Sequence, residues 1–367
     1  MTKLRLTDDV YGEITAIALA IPLYAYKDFP ETIKAVIQAL PTDANLEIVA
    51  VSESVHHIHE WAAGRSGKVS ILSAPEGQKF THWTRDAQFT GTAHGKSISL
   101  ISKNFDRDSD RDIACLLAAS AGIQVKETSN PIDGGNILVA GSDVLIGSEL
   151  LSDGQEWISM PLDVRVLKIG ASDRRSKEVV EASEFLPAPW QEHKYLGSGQ
   201  STQPQYHLDL YIAPAGKNDA GRPLWMVGCP RLGAERLGLK LLDFADAHLF
   251  DQVASKLEAT GAEVIRNPMP LFWTDHEKEK LRTWYHLPVN NVLVEIRDEG
   301  AKTVWLPCFG EGDWPELKRI DDANEALWRN LGFETVRIPG FLKLAERRGA
   351  LRCMCNVLER RRHNRNV

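Results

Sequence analysis

The chain has 367 residues, 43% of them hydrophobic and 25% charged, which excludes a disordered chain, a collagen-like fibre and a disulfide-knotted miniprotein. Lys and Arg number 43 against 50 Asp and Glu, a net charge of −7, so no global electrostatic footprint favours nucleic acid. The five cysteines (Cys115, Cys229, Cys308, Cys353 and Cys355) are odd in number and form no CxxC pair, which speaks against a disulfide framework and a zinc ribbon.

The first apolar stretch, ITAIALAIPLYAY (14–26), is too short for a bilayer span and is interrupted by Pro22. No cleavage pattern follows a basic start, so a cytoplasmic location and no membrane partner are expected. Helix and strand then alternate. Thr32 to Leu40 reads as a helix, 46–52 as a strand, Val55 to Ala63 as a helix and 68–73 as a strand. SISLIS (97–102) is a strand, and 110–122 is a helix with Ile113, Leu116 and Leu117 on or near one face, stopped by Gly122. Two more helices are predicted at 239–257 and 321–332. Three segments (136–147, 208–228 and 291–307) read as apolar strand, polar turn, apolar strand, with Gly, Asp and Asn in the turns. SISLIS fits half of a fourth. Hairpins alternating with helix-plus-strand units predict a repeated α/β module. Modules of roughly 70 residues would give about five over this length. No linker divides the chain, so one catalytic domain over 1–367 is expected, with a basic, solvated tail at 359–367.

Four segments carry polar groups where a plain strand or turn does not need them. HWTRDAQF (82–89) sets Arg85 and Asp86 between Trp83 and Phe89. NPIDGGN (130–136) places Asp133 before two glycines, which permit close backbone approach. In QYHLDLYI (205–212), strand alternation puts His207 and Asp209 on one face. Finally, RRGALRCMCNVLE (347–359) surrounds Cys353 with Arg347, Arg348 and Arg352, which would lower a thiol pKa if they pointed at it. Each signal alone has an ordinary reading: a surface ion pair, a tight turn, a salt bridge, a buried inert thiol. GTAHGKS (91–97) has its glycines one residue too close for a phosphate loop, and HHIHE (56–60) lacks partners for a metal site.

Taken in order, WTRD, DGGN, HLD and a near-C-terminal GALRCM resemble the guanidino-group-modifying superfamily of arginine, agmatine and peptidylarginine deiminases and amidinotransferases. The resemblance implies an α/β fold, a five-bladed, pseudo-symmetric propeller of ββαβ modules around a central site. It also implies roles. Asp86 and Asp209 look like the carboxylates that grip the guanidinium, with Trp83 beside them. His207 looks like the general acid/base, Asp133 like the group that orients it, and Cys353 like the nucleophile. Gly349 and the loop after it would shape the approach to the sulfur. Asp133 stands where deiminases usually carry the longer Glu, Ala350 replaces a common second Gly, and Cys355 replaces a frequent Ser or Thr. Asn136 matches the agmatine type, whereas Leu-Arg-Cys-Met is closer to the free-arginine type.

The chemistry suits these residue types. A guanidinium is planar and always protonated, and two carboxylates can fix its plane while a thiolate attacks the central carbon. The resemblance therefore implies a cysteine-dependent deiminase that converts a guanidino compound, arginine or a derivative, to a ureido product plus ammonia through a covalent thiouronium. Alternatives are an agmatine or peptidylarginine deiminase, or an amidinotransferase using the same intermediate. Arg347, Arg348 and Arg352 near the thiol would meet a substrate carboxylate. No cofactor or metal is expected. The partner is a small guanidino substrate, with a homodimer as an option.

Overall fold

A computed structural model describes residues 4–129, 132–148, 150, 164–169, 179–181, 196–198, 207–242, 245–276, 281–312 and 314–362. The fold is mixed α/β. Among the described residues, no helix is long and apolar enough to cross a membrane.

Among the described residues, five units share one wiring, an antiparallel strand pair to which a third strand adds in parallel. The first is Gln88–Ala93, Lys96–Ser102 and Gln124–Thr128. The second is Ile137–Ala140, Asp143–Gly147 and Arg165–Ile169. The third is Ile212–Lys217, Pro223–Cys229 and Glu263–Pro268. The fourth is Leu293–Ile296, Lys302–Pro307 and Glu334–Ile338. The fifth joins the two ends of the chain: Cys355–Arg361 pairs with Glu13–Ile21, and Asn45–Ala50 adds in parallel, followed by Val69–Ser73. A parallel neighbour needs a crossover, and helices supply it in four of the units. They are Asp108–Ser120, the pair Pro230–Leu237 and Ala247–Glu258, Lys318–Asn330 and Pro30–Ala39. Central strands such as Asp143–Gly147 are buried along their whole length, as strands covered on both faces must be. A further sheet, ordered Val179–Glu181, Leu196–Ser198, Leu281–His286 and Leu271–His276, lies outside this pattern.

Several sequence expectations need correction. The helix expected over 239–257 begins only at Ala247, because Asp246 takes a left-handed conformation (φ 50°) that a continuous helix cannot pass. The hairpin at 208–228 starts at Ile212, and Leu208–Leu210 form a 3-10 turn instead of strand. The GTAHGKS segment is a two-residue hairpin: His94 and Gly95, at φ 53° and 71°, make the tight turn between paired strands. Nor is the basic tail solvated from 359 onward. Arg360 donates to the carbonyls of Asp9, Val10, Gly12 and Val294, which fastens the last strand to the rest of the fold. Residues 363–367 of that tail lie outside the described residues.

Candidate active site

The sequence-predicted residues converge from four places in the chain. Asp86 closes a turn after Trp83, its N–H bonded to the Trp83 carbonyl at 3.2 Å. Asp133 precedes the 3-10 turn Gly134–Asn136, and one of its oxygens accepts from the Gly135 N–H at 3.2 Å. His207 stands at the head of the next 3-10 turn, which contains Asp209. Cys353 sits in the short helix Leu351–Met354, just before the closing strand. The two glycines after Asp133 are there for closeness. Neither has positive φ, but a Cβ on Gly134 would lie 2.1 Å from the Arg85 carbonyl oxygen, and one on Gly135 would lie 2.4 Å from His207 Nδ1.

His207 and Asp209 therefore share the site for a reason other than strand alternation. Their turn, closed by Leu210 N–H to the His207 carbonyl at 3.4 Å, turns both side chains inward. Both are buried, at 3% and 0% exposure. His207 Nε2 lies 2.6 Å from Asp133 Oδ2, so the shorter carboxylate does reach the imidazole. On the other side of the ring, Nδ1 is 4.0 Å from Asp86 Oδ1. Burial pulls the imidazole pKa down, but Asp133, Asp86 and Asp209 together outweigh it and hold the group up at about 9. At neutral pH the ring is an imidazolium.

Asp86 and Asp209 are each half-occupied. Asp86 Oδ2 takes a 2.6 Å ion pair from Arg107, and Asp209 Oδ2 takes a 2.7 Å one from Arg352. The other oxygen of each, Oδ1, is buried without a hydrogen-bond partner among the described residues. Each buried carboxylate thus holds a resident cation on one oxygen, and its other oxygen has no hydrogen bond among the described residues. Burial raises the Asp86 pKa to about 6, with His207 and Arg107 opposing it and Asp133 adding to it.

The sulfur of Cys353, 2% exposed, lies 3.7 Å from Asp209 Oδ2 and receives a hydrogen bond from Asn291 Nδ2 at 3.1 Å. Burial, Asp209 and Asp86 all raise its pKa well above the ordinary thiol value, against the hydrogen bonds of Ala350 and Asn291. Without a ligand the group is a thiol.

The expectation that nearby arginines activate this thiol and meet a substrate carboxylate fails for Arg352. Its guanidinium is 4% exposed and bonded to Asp9 at 2.9 Å, Asp209 at 2.7 Å and the carbonyls of Gly134 and Ile137. It has been recruited as an internal counter-ion. Arg347 pairs with Asp28 at 2.6 Å and lies over the rings of Tyr24 and Phe29. Trp83 is half-buried and lies against the His82 ring, the two tilted by 48° with centroids 3.8 Å apart. Gly349 is glycine because a Cβ there would sit 2.4 Å from the Trp83 indole.

Three site residues escaped the sequence reading. Asp9 bridges the buried Arg85 and Arg352, Arg107 holds Asp86, and Asn291 holds the sulfur. None lies in a motif. Asp9 is one of two adjacent acids, Arg107 sits in a charged helix start, and Asn291 follows another Asn in a loop, so nothing local distinguishes them.

Atoms of Asp86, Asp133 and His207 lie within 4.8 Å of one another, close enough to share a metal ion. To ligate one, His207 would have to give up a ring proton, and its Nε2 already bonds Asp133 at 2.6 Å. The arrangement suits an organic cation better: two carboxylate oxygens free to accept, a sulfur beside one of them, and an imidazolium next to both.

No family model matches the chain, and no curated protein matches it in sequence. Solved structures share its fold. An agmatine deiminase of C. jejuni, a cysteine-to-serine variant with substrate bound, superposes with a TM-score of 0.63 at 12% identity over 98% of each chain. An agmatine deiminase of Enterococcus faecalis does so with a TM-score of 0.62 at 12% identity, covering 96% of this chain and 95% of the other. At such identities the likeness is one of fold.

Proposed function

We propose that this chain is a cysteine-dependent guanidino hydrolase, a deiminase that releases ammonia and leaves a ureido product. The five strand units are read as blades closing around the site. The observation that carries the proposal is the pair of buried oxygens on Asp86 and Asp209 that lack a hydrogen bond among the described residues, set beside the Cys353 thiol and the His207 imidazolium. A planar cation with N–H donors on both edges satisfies both oxygens at once. The agmatine deiminases of like fold support the same chemistry.

The charges support a sequence of steps. A guanidinium entering between Asp86 and Asp209 offsets the carboxylates that disfavour ionisation of Cys353. The thiol then loses its proton to solvent, since the imidazolium of His207 cannot accept it, and the thiolate adds to the guanidinium carbon. The imidazolium of His207 passes its proton to the departing nitrogen, which leaves as ammonia, and a thiouronium remains on the sulfur. Water adds to that carbon, His207 takes up one proton from it, and the carbon–sulfur bond breaks as the remaining hydroxyl proton passes to the sulfur, which frees the ureido product. General acid–base help of this kind is worth roughly 10²–10⁴ in rate. Asp133 keeps the ring protonated for the first transfer and fixes its orientation throughout.

The substrate's other end is less constrained. With Arg352 committed to internal partners and Arg347 in an exposed pair with Asp28, the argument for a carboxylate-bearing substrate over agmatine is left to Arg348. The test is a panel of arginine, agmatine, peptidyl-arginine and simple guanidines, assayed for both ammonia and ureido product. Turnover that disappears in Cys353→Ser, with an unchanged melting temperature, is expected. An amidino group transferred to an added amine would make the enzyme an amidinotransferase, and no reaction with any guanidine would refute the proposal.

A further inference from the structure

The loop between the strands Leu281–His286 and Leu293–Ile296 carries Pro288, Val289, Asn290 and Asn291 into the site. Asn291 is fully buried and makes four contacts there. Its Oδ1 accepts from the Cys353 N–H at 3.1 Å, and its Nδ2 donates to the Cys353 sulfur at 3.1 Å and to the Asp209 carbonyl at 3.3 Å. Its own carbonyl accepts from the Arg352 N–H at 3.3 Å. The amide orientation follows from these partners. If it were flipped, an NH2 group would face the Cys353 N–H, and an oxygen would face the sulfur.

The loop itself is braced by a second set of buried amides. Asn290 donates to the Tyr211 carbonyl at 2.8 Å. Asn267 donates to both Asn290 and Asn324 at 2.7 Å, and Asn324 donates to the Val289 carbonyl at 3.2 Å. Burying this much polarity is costly, and the amides offset it by bonding one another, with only the Asn267 Oδ1 among their side-chain oxygens lacking a hydrogen bond among the described residues. The effect is to present one N–H of Asn291 to the sulfur at a fixed distance.

We infer that Asn291 is a catalytic residue whose side-chain amide donates to the sulfur of Cys353 and stabilises it as the anion forms. The inference rests on the reading of Cys353 as the nucleophile. Of the other groups facing the sulfur, Asp209 and Asp86 oppose the anion, and the Ala350 backbone is the one that supports it alongside Asn291. The imidazolium of His207 and the guanidinium of Arg352 are spoken for by those acids and by Asp133 and Asp9. The side-chain amide is therefore a neutral donor, aimed at the atom where negative charge must appear and fixed before the reaction begins.

The experiment reads the sulfur and not the turnover. Iodoacetamide labelling of Cys353 is followed on its own peptide by mass spectrometry from neutral to strongly alkaline pH. Asn291→Asp keeps the acceptor for the Cys353 N–H and loses the donor to sulfur. Its labelling midpoint should rise by about one to two pH units, with labelling near neutral pH slowed roughly ten- to hundredfold. Asn291→Ala, which adds no charge, should move the midpoint in the same direction. Asn290→Ala loosens the same loop without touching the sulfur, and should lower the melting temperature while leaving the midpoint in place. An unmoved midpoint in Asn291→Ala overturns the assignment. So does an equal shift in Asn290→Ala, or a wild-type sulfur that resists labelling throughout. A shift seen in a protein that turns over no guanidine would leave the amide's role standing and remove the deiminase reading instead.

Discussion

Replacing Asp133 by Asn tests the electrostatic logic of the site at its centre. In the folded protein the His207 imidazole titrates at about 9 instead of 6.5, so the fold prefers the imidazolium by about 3 kcal/mol. A raised cation pKa gives stability that is fully present below 6.5 and lost as pH rises through about 9. Asp86 acts in the same direction at lower pH. With its carboxyl raised to about 6, the folded state binds more protons than the unfolded chain between 3.8 and 6, and stability again falls as pH rises. Asn at 133 keeps the shape but removes the charge, and with it a 2.6 Å charge-assisted bond worth about 1.5–3 kcal/mol. The imidazole should then titrate roughly one to two pH units lower. Two assays check this. An NMR titration follows the His207 ring, identified by its loss in His207→Gln. Denaturant melts below pH 6.5 and above pH 9 should show the wild type losing about 3 kcal/mol across the interval and the variant distinctly less. A wild-type ring that titrates at its ordinary value, or one indifferent to Asp133→Asn, would refute the reasoning.

Other outcomes follow from the same geometry. Arg352→Met leaves Asp209 buried without its cation and Asp9 with Arg85 alone, and should destabilise the fold by about 3–5 kcal/mol, measured by denaturant melts; a loss of substrate affinity at unchanged stability would return Arg352 to the role of substrate ligand. Gly135→Ala drives a methyl into the His207 ring, where the added carbon would meet Nδ1 at 2.4 Å. Activity should drop at least tenfold as the ring leaves Asp133, and an unaffected kcat would mean that the ring's position is not critical.

Much of this protein was legible before any coordinates. Periodicity located the hairpins at 136–147 and 291–307 and the helices near 110–122 and 321–332, because each is built from a local pattern of apolar spacing and turn residues. The reading went astray where a backbone conformation, not a pattern, decided the outcome, at the left-handed Asp246 and the 3-10 turn after His207. His207, Asp209, Asp86, Asp133 and Cys353 could be picked out because they sit in motifs whose residue types are unusual for a strand or turn. What those groups are bonded to could not. Asn291 meets Cys353 across 62 residues, Arg107 meets Asp86 across 21 and Asp9 meets Arg352 across 343. A counter-ion or amide is chosen by where burial leaves an unpaired oxygen or sulfur, and the linear chain does not encode that proximity. Local order therefore named the candidate groups, while only the packed fold decided their surroundings, which oxygen of each carboxylate is left without a hydrogen bond, and that Arg352 is bonded within the interior.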